Sequence, residues 1–424
     1  MNILSWSKNV FLFVFFLSIF QSDPGVARSL DDVLSDVREK NPEIISANSL
    51  LLQTYEDMPV AWSNYSPNIS ITSSVERAVT DDKYDQSSTR SDTFSNTLSL
   101  SQDLLNMQHN EQFRQAKLKI EKQEATFRSV VQRVLLSTIT AYLDVLKKHN
   151  IVLLHENNLK VLETHMQSVR TQHEMRRRTN ADLAQAESRL AKGKADLLSA
   201  EIDINVASSA FTRITGSNPE FLTKPGQIDR VSISAEEIEK IALTDHPSVI
   251  IALLEVELAE SQIKSKKRAF APSLALSGSV AKSNSNNSAT ASSGSTVSSI
   301  GLTLSVPLFQ KGMEYSDLRH SQEELKKALA NLDNARRTVV DNVRNTWESR
   351  RGAYAKIEAY ELQVRAAKIA LESVKQELSA GRRSTLDVLN AEQELLNARV
   401  NLAGAEHDSI LSEYRLIEGA GNLR

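Results

Sequence analysis

Side chains able to do chemistry are sparse in this chain of 424 residues. Its eight histidines stand at 109, 149, 155, 165, 173, 246, 320 and 407. No two have the HExxH spacing that sets imidazoles around zinc, and His165 with His173 reads as a polar helix face. Glycine patterns that cradle phosphates or expose a nucleophilic serine, such as GxGxxG, GxxxxGKS and GxSxG, are missing. There is no cysteine, which excludes thiol nucleophiles, cysteine-held zinc, disulfides and anchors acylated on cysteine. No cofactor, metal or enzymatic activity is indicated. What remains is charge at two turns: Arg176, Arg177 and Arg178 ahead of Asp182, and Arg382 and Arg383 ahead of Asp387. These arginines either brace neighbouring segments through Asp182 and Asp387, or contact a partner, or form a solvated basic turn where cations suit a helix C-terminus.

The elements carrying those turns are long helices. Thirteen glycines and nine prolines in the whole chain fall well below the usual combined share of about 12 %, so turns are few. Fifty basic against 53 acidic residues give no electrostatic pull toward nucleic acid or anionic lipid. Lys8, the apolar run from Val10 to Phe20 and Gly25-Val26-Ala27 have the order of a secretory signal peptide, predicting residues 1–27 as a leader cut after Ala27. A retained anchor is the alternative, but the run is short for a bilayer that needs about 20 residues. No later stretch approaches 18 consecutive apolar residues, so any crossing of a membrane falls to strands.

Laid against itself, the chain repeats. Asn41-Pro42 recurs as His246-Pro247, Ser66-Pro67 as Ala271-Pro272, and Asp182 to Glu187 (DLAQAE) as Asp387 to Glu392 (DVLNAE). One offset relates all three, and it also aligns the apolar heptad Phe113, Ile120, Phe127, Val134 with Leu318, Leu325, Leu332, Val339. We read a duplicated half-protein: 28–215 and 235–424, with 216–234 as linker. Each half runs helix, hairpin, long helix, tip turn, helix. The first helices are expected over about 30–62 and 235–269, the long ones over about 107–175 and 313–379, and the last over about 181–213 and 385–418. Large a and small d residues suit close coiled-coil packing. The shorter helices, stacked end to end, match one long helix and suggest a cylinder wall.

Period-two alternation marks the strands. Ile69, Ile71 and Val75 alternate with Ser70, Thr72 and Ser74; Leu98 and Leu100 return. In the second half Leu274, Leu276 and Val280 are followed by Ile300, Leu302, Leu304, Val306 and Leu308. The polar connections 80–92 and 283–299 read as loops in water. Four strands cannot close a membrane barrel, since single-chain barrels start at eight and an open edge in lipid leaves backbone groups unpaired. Three copies give twelve strands and a passage; two give eight and a filled interior. Trp62, Tyr65, Phe270 and Phe309 suit either an interfacial girdle or packing where helix meets strand.

In this order and spacing the chain resembles the TolC-like outer membrane efflux and secretion channels. The features that carry the resemblance are the duplicated plan, Asn41-Pro42, Ser305-Val306-Pro307-Leu308-Phe309 ending the last strand, and Ala380 to Ala391 (AGRRSTLDVLNA) as the second tip. The resemblance implies a mainly α fold with a small β part: a coiled-coil barrel, and a transmembrane β-barrel shared between protomers. It implies a homotrimer in the outer membrane of a Gram-negative cell, extending into the periplasm. The trimer would dock on a periplasmic adaptor (membrane fusion protein) and an inner membrane transporter of RND or ABC type, as exit duct for solutes or secreted protein. It places Asp387 on the lumen side of the closed tip, with Asp182 as its partner in the first repeat. Asn390 stands where the family often has a second acid, which weakens the ring. Gly381 is the turn residue, and Arg176 at its equivalent departs from the family's small residue. A periplasmic coiled-coil adaptor or scaffold is the competing reading, opposed by two long hairpins and the lack of larger β domains.

Overall fold

A computed structural model describes residues 28–82, 87–226, 234–287 and 292–423. The expected leader lies outside them. In order come α1 (Leu30–Lys40), α2 (Pro42–Tyr55), α3 (Asp57–Ser63), β1 (Asn68–Asp82), β2 (Ser87–Leu105), α4 (Met107–Glu174) and α5 (Asn180–Thr215). The plan then repeats with α6 (Ala235–Asp245), α7 (Pro247–Arg268), β3 (Ser273–Asn287), β4 (Ser293–Ser305), α8 (Met313–Ser379) and α9 (Thr385–Gly419).

Each half was expected to open on a single helix; instead the helix is broken at the proline. Asn41 and His246 are both extended (ψ 125° and 126°), because the ring of a following proline disfavours the helical region for the residue before it. Each then caps the next helix. Asn41 Oδ1 accepts from Glu43 N (2.9 Å), and His246 Nδ1 from Ser248 N (3.2 Å), while Pro42 and Pro247 occupy first helical positions, where no N–H is needed.

The breaks let helices stack. Asn41 Nδ2 donates to Ile214 O at the end of α5 (2.8 Å), so α5 runs on into α2 and α3. The end of α9 meets the start of α7 at Gly421 (φ +79°), where a Cβ would stand 2.9 Å from His246 Cα and 3.0 Å from Asp245 O. Only glycine fits that junction. The continuous α4 and α8, of 68 and 67 residues, reach about 100 Å. In one half of the wall the order is α5–α4–α9–α8; in the other it is α2/α3–α4–α7–α8.

The core sits where α1 and α6 cover this wall. Leu30, Val33, Val37, Val134, Leu135, Ile139, Tyr142 and Phe211 form one cluster, and Ile238, Ala242, Val249, Leu332, Val339 and Val343 the other. Each large side chain so buried contributes about 1.5–3 kcal/mol. Tyr142 Oη donates to Thr223 O (2.6 Å), so its buried hydroxyl is satisfied. Among the described residues α4 alone has an 18-residue window apolar enough to cross a membrane, but half of that window is buried inside the protein.

The sheet has the order β1-β2-β3-β4, antiparallel throughout. Its strands are longer than the alternation predicts. The polar stretches expected as loops are largely strand: the part of 80–92 up to Asp82 belongs to β1 and the part from Ser87 to β2, and the part of 283–299 up to Asn287 belongs to β3 and the part from Ser293 to β4. Cross-strand side-chain bonds tie the strands along their length, including Ser73 Oγ to Asn96 Oδ1 (2.6 Å), Ser279 Oγ with Ser299 Oγ (2.9 Å) and a two-point fork from Arg77 to Asp92 (2.6 and 3.1 Å). At the other end β4 stops at Ser305 rather than continuing to Leu308, since Pro307 brings no N–H to a ladder.

Candidate functional site

The residues singled out by the sequence fall in two regions, the tip turns and the sheet. The tips are built alike. At the end of α4, Arg176 N donates to His173 O and Arg177 N to Gln172 O, both at 2.8 Å; after α8, Gly381 N donates to Leu378 O (3.0 Å) and Arg382 N to Glu377 O (2.8 Å). This closure needs a left-handed residue. Gly381 supplies it at φ +73°, and Arg176 adopts it at φ +57°. The first turn therefore keeps the geometry of the second despite its arginine.

The next helices start on capping boxes. Asp182 Oδ2 accepts from Thr179 N (3.0 Å) and Oγ1 (2.9 Å); Asp387 Oδ2 accepts from Ser384 N (2.9 Å) and Oγ (2.8 Å). Bonds from the Ser384 hydroxyl and N–H, with Arg383 beside it, hold the Asp387 carboxyl below the usual carboxylate range. The Thr179 N–H and hydroxyl do the same for Asp182, helped by Arg178. Both stay ionised at neutral pH, on helix N-termini that favour negative charge. The two acids thus have a folding role whatever they do for ions.

The arginines divide. Arg178 Nε donates to Gln172 Oε1 (3.0 Å) and Arg383 Nε to Glu377 Oε2 (2.7 Å), each tying its own turn to the preceding helix. Arg176, Arg177 and Arg382 are exposed and make no side-chain hydrogen bond or ion pair among the described residues. None of the five reaches Asp182 or Asp387 with a hydrogen bond. Asn390 has a partner that sequence reasoning missed: Arg189 Nη2 donates to its Oδ1 (2.8 Å), joining the two hairpins near their tips. Lys375 Nζ with Glu392 Oε1 (3.3 Å) ties α8 to α9 nearby. Glu392 belongs to the repeated DVLNAE segment; Arg189 carries no signal that sets it apart from other surface arginines.

Pairing across the sheet fixes two faces. Ile69 pairs with Leu100, Leu100 with Gly278 and Gly278 with Ile300; one rung further, Ile71, Leu98 and Val280 align. This face is apolar yet exposed: Ile71 keeps 73 % of its surface, Val75 77 % and Ile300 82 %. The alternate rungs carry hydroxyls, as in Ser70, Ser99, Ser279 and Ser299. β1 and β4 end the sheet with their outer edges unpaired among the described residues. Of the aromatic residues, Trp62 packs edge-on against Phe113 (5.5 Å) and Tyr65 (6.1 Å), and Phe270 lies tilted against Tyr315 (5.3 Å). Trp62 and Phe309 nonetheless stay mostly exposed.

A family model described as outer membrane efflux protein matches residues 33–217 and again 240–422. The outer membrane efflux protein BepC of Brucella suis is 28 % identical over 308 residues, 73 % of this chain and 67 % of that one. The alkaline protease secretion protein AprF of Pseudomonas aeruginosa is 26 % identical over 345 residues, 78 % and 70 %. The crystal structure of the CmeC outer membrane channel of Campylobacter jejuni superposes with a TM-score of 0.82 at 18 % identity, covering 93 % of this chain and 85 % of that one, a likeness of fold.

Proposed function

Since the chain belongs to the outer membrane efflux protein family, we propose that three copies close one duct through the outer membrane. Each would give four strands to a twelve-stranded barrel and a third of a helical tunnel in the periplasm. One observation carries this reading: a single chain presents an apolar sheet face to solvent and leaves the outer edges of β1 and β4 unpaired among the described residues. Neither is tolerable in lipid unless identical neighbours supply the missing strands. The double match of the family model supports taking 28–215 and 235–424 as structural repeats, which put six similar units around the axis.

In this reading the protein conducts and does not catalyse. The exposed Arg176, Arg177 and Arg382 lie at the far end from the sheet and offer a periplasmic adaptor its contact, with an inner membrane pump beyond. Asp387, Asp182 and Asn390 line the tip's constriction. Similarity to BepC and to AprF supports export as the task, with solute efflux and protein secretion both served by one duct. Native mass spectrometry of the detergent-extracted protein is expected to give three chains; a conducting monomer would overturn the shared barrel.

A further inference from the structure

The hydroxyl face of the sheet is uncharged over a long stretch, its hydroxyls interrupted by Ala281 and Val297 in the rung of Thr72 and by Gly301 in that of Asn68. Residues on that face follow by alternation from the pairing: Asn68, Ser70, Thr72 and Ser74 on β1, with Ser101 to Ser95 on β2 and Ser277 to Ser283 on β3 in the same rungs. From the rung of Asn68 to that of Ser74 it holds no charged side chain, a sleeve of about 20 Å at 3.4 Å per residue. Two acids bound it. Asp103, paired with Ala275, marks the end nearest the helices; Glu76, paired with Thr93, marks the outer end. The charged neighbours Arg77, Arg90, Asp92 and Lys282 fall on the apolar face by the same alternation.

The two acids differ in company. Asp103 accepts from Asn106 Nδ2 (3.3 Å) and faces His109 Nε2 at 3.5 Å. Glu76 is exposed and has no ion pair or side-chain hydrogen bond among the described residues. We propose that Glu76 determines the charge preference of the barrel's outer mouth, at the rim of a hydroxyl-lined sleeve that is itself neutral. This rests on the reading that three sheets close one barrel with the hydroxyl face inward. Three copies then make a carboxylate ring that gathers cations and repels anions, and the serines and threonines below it offer hydrogen bonds to any polar cargo without opposing its charge.

The test is reversal potential across a planar bilayer in a KCl gradient, at about 0.1 M or below, where charges act over about 10 Å. Glu76→Gln is expected to lower the K⁺ over Cl⁻ permeability ratio by about twofold, and Glu76→Lys to shift it toward Cl⁻, both effects shrinking near 1 M salt. Glu76→Gln is isosteric and decides the matter even where Glu76→Lys fails to assemble. A ratio unchanged in Glu76→Gln overturns the proposal. Because the chain has no cysteine, single thiols report the faces separately. Ser99→Cys should react with a water-soluble charged thiosulfonate and change conductance, and Leu98→Cys should not. Reaction at Ser99→Cys together with an unchanged ratio in Glu76→Gln removes Glu76 alone; reaction at Leu98→Cys instead removes the inward hydroxyl face and the proposal with it.

Discussion

At the scale of single residues, the tip acids have one role in the fold and a second in the proposed function. Asp387 closes a capping box on Ser384 and, in the proposed trimer, contributes to a ring. The roles separate because one needs an acceptor and the other a charge. Asp387→Asn keeps an acceptor and loses the charge; Asp387→Ala loses both. Both variants should reduce cation preference in single-channel recordings, while hydrogen exchange at the first amides of α9 should speed up far more in Asp387→Ala. Equal selectivity in wild type and Asp387→Asn would leave Asp387 with the cap alone. The depressed pKa sets the pH sense: the box is intact above the ordinary carboxylate range and is lost as pH falls through the lowered value. Arg176 shows how backbone demand outranks side-chain preference. Its position takes φ +57°, usually left to glycine, because the two bonds to His173 O and Gln172 O close the turn.

At the scale of elements, the junctions between stacked helices are where the two halves differ chemically. Asn41 caps α2 with an amide that does not titrate, whereas His246 caps α7 with Nδ1, which must be unprotonated to accept. Burial holds the His246 imidazole below its ordinary value of 6.5, so the cap is complete above that pH and is lost as pH falls through the lowered value. The protection factor of the Ser248 amide, its exchange corrected for the intrinsic slowing at lower pH, should therefore fall on acidification. His246→Asn, which copies the first half, should keep the cap and abolish the fall; a fall that persists would assign it to another group. The long helices were legible to within a residue or two, since their heptads run unbroken through Phe113 to Val134 and Leu318 to Val339. The broken first helices were legible only in part. Asn41-Pro42 and His246-Pro247 were visible as landmarks, yet each break depends on α5 or α9 ending against it. The polar outer ends of the strands were not legible, because Ser, Thr and Asn there have no apolar partner to alternate with and are held by neighbours across the sheet. Arg189 with Asn390 escaped for a related reason: the pair forms between hairpins that no local pattern relates.

At the scale of the whole molecule, the helical wall has two margins without a helical neighbour among the described residues, and their sequences are complementary. On α5 an exposed stripe runs through Ala184, Ala191, Ala195, Leu198 and Ile202; on α8 another runs through Ala355, Ala359, Leu362, Ala366 and Ile369. Both follow heptad spacing, with small residues that allow close approach. Leu198, Ile202, Leu362 and Ile369 are each more than half exposed, an arrangement that costs burial energy until another helix covers it. The two helices run in opposite directions at opposite edges of the order α5–α4–α9–α8, so α5 of one chain can meet only α8 of the next. Leu198 lies as many turns above the first tip as Leu362 lies above the second, about 26 Å in each case, which puts them level across the joint. Leu198→Asp and Leu362→Lys should each weaken the proposed trimer, seen as a lower dissociation temperature in detergent. Because the contact is head to tail, the double variant sets a carboxylate opposite an ammonium at every joint and should recover part of the loss. A double variant no better than the sum of the two singles would place these stripes against something other than each other, and the wall would have to close by a different pairing of margins.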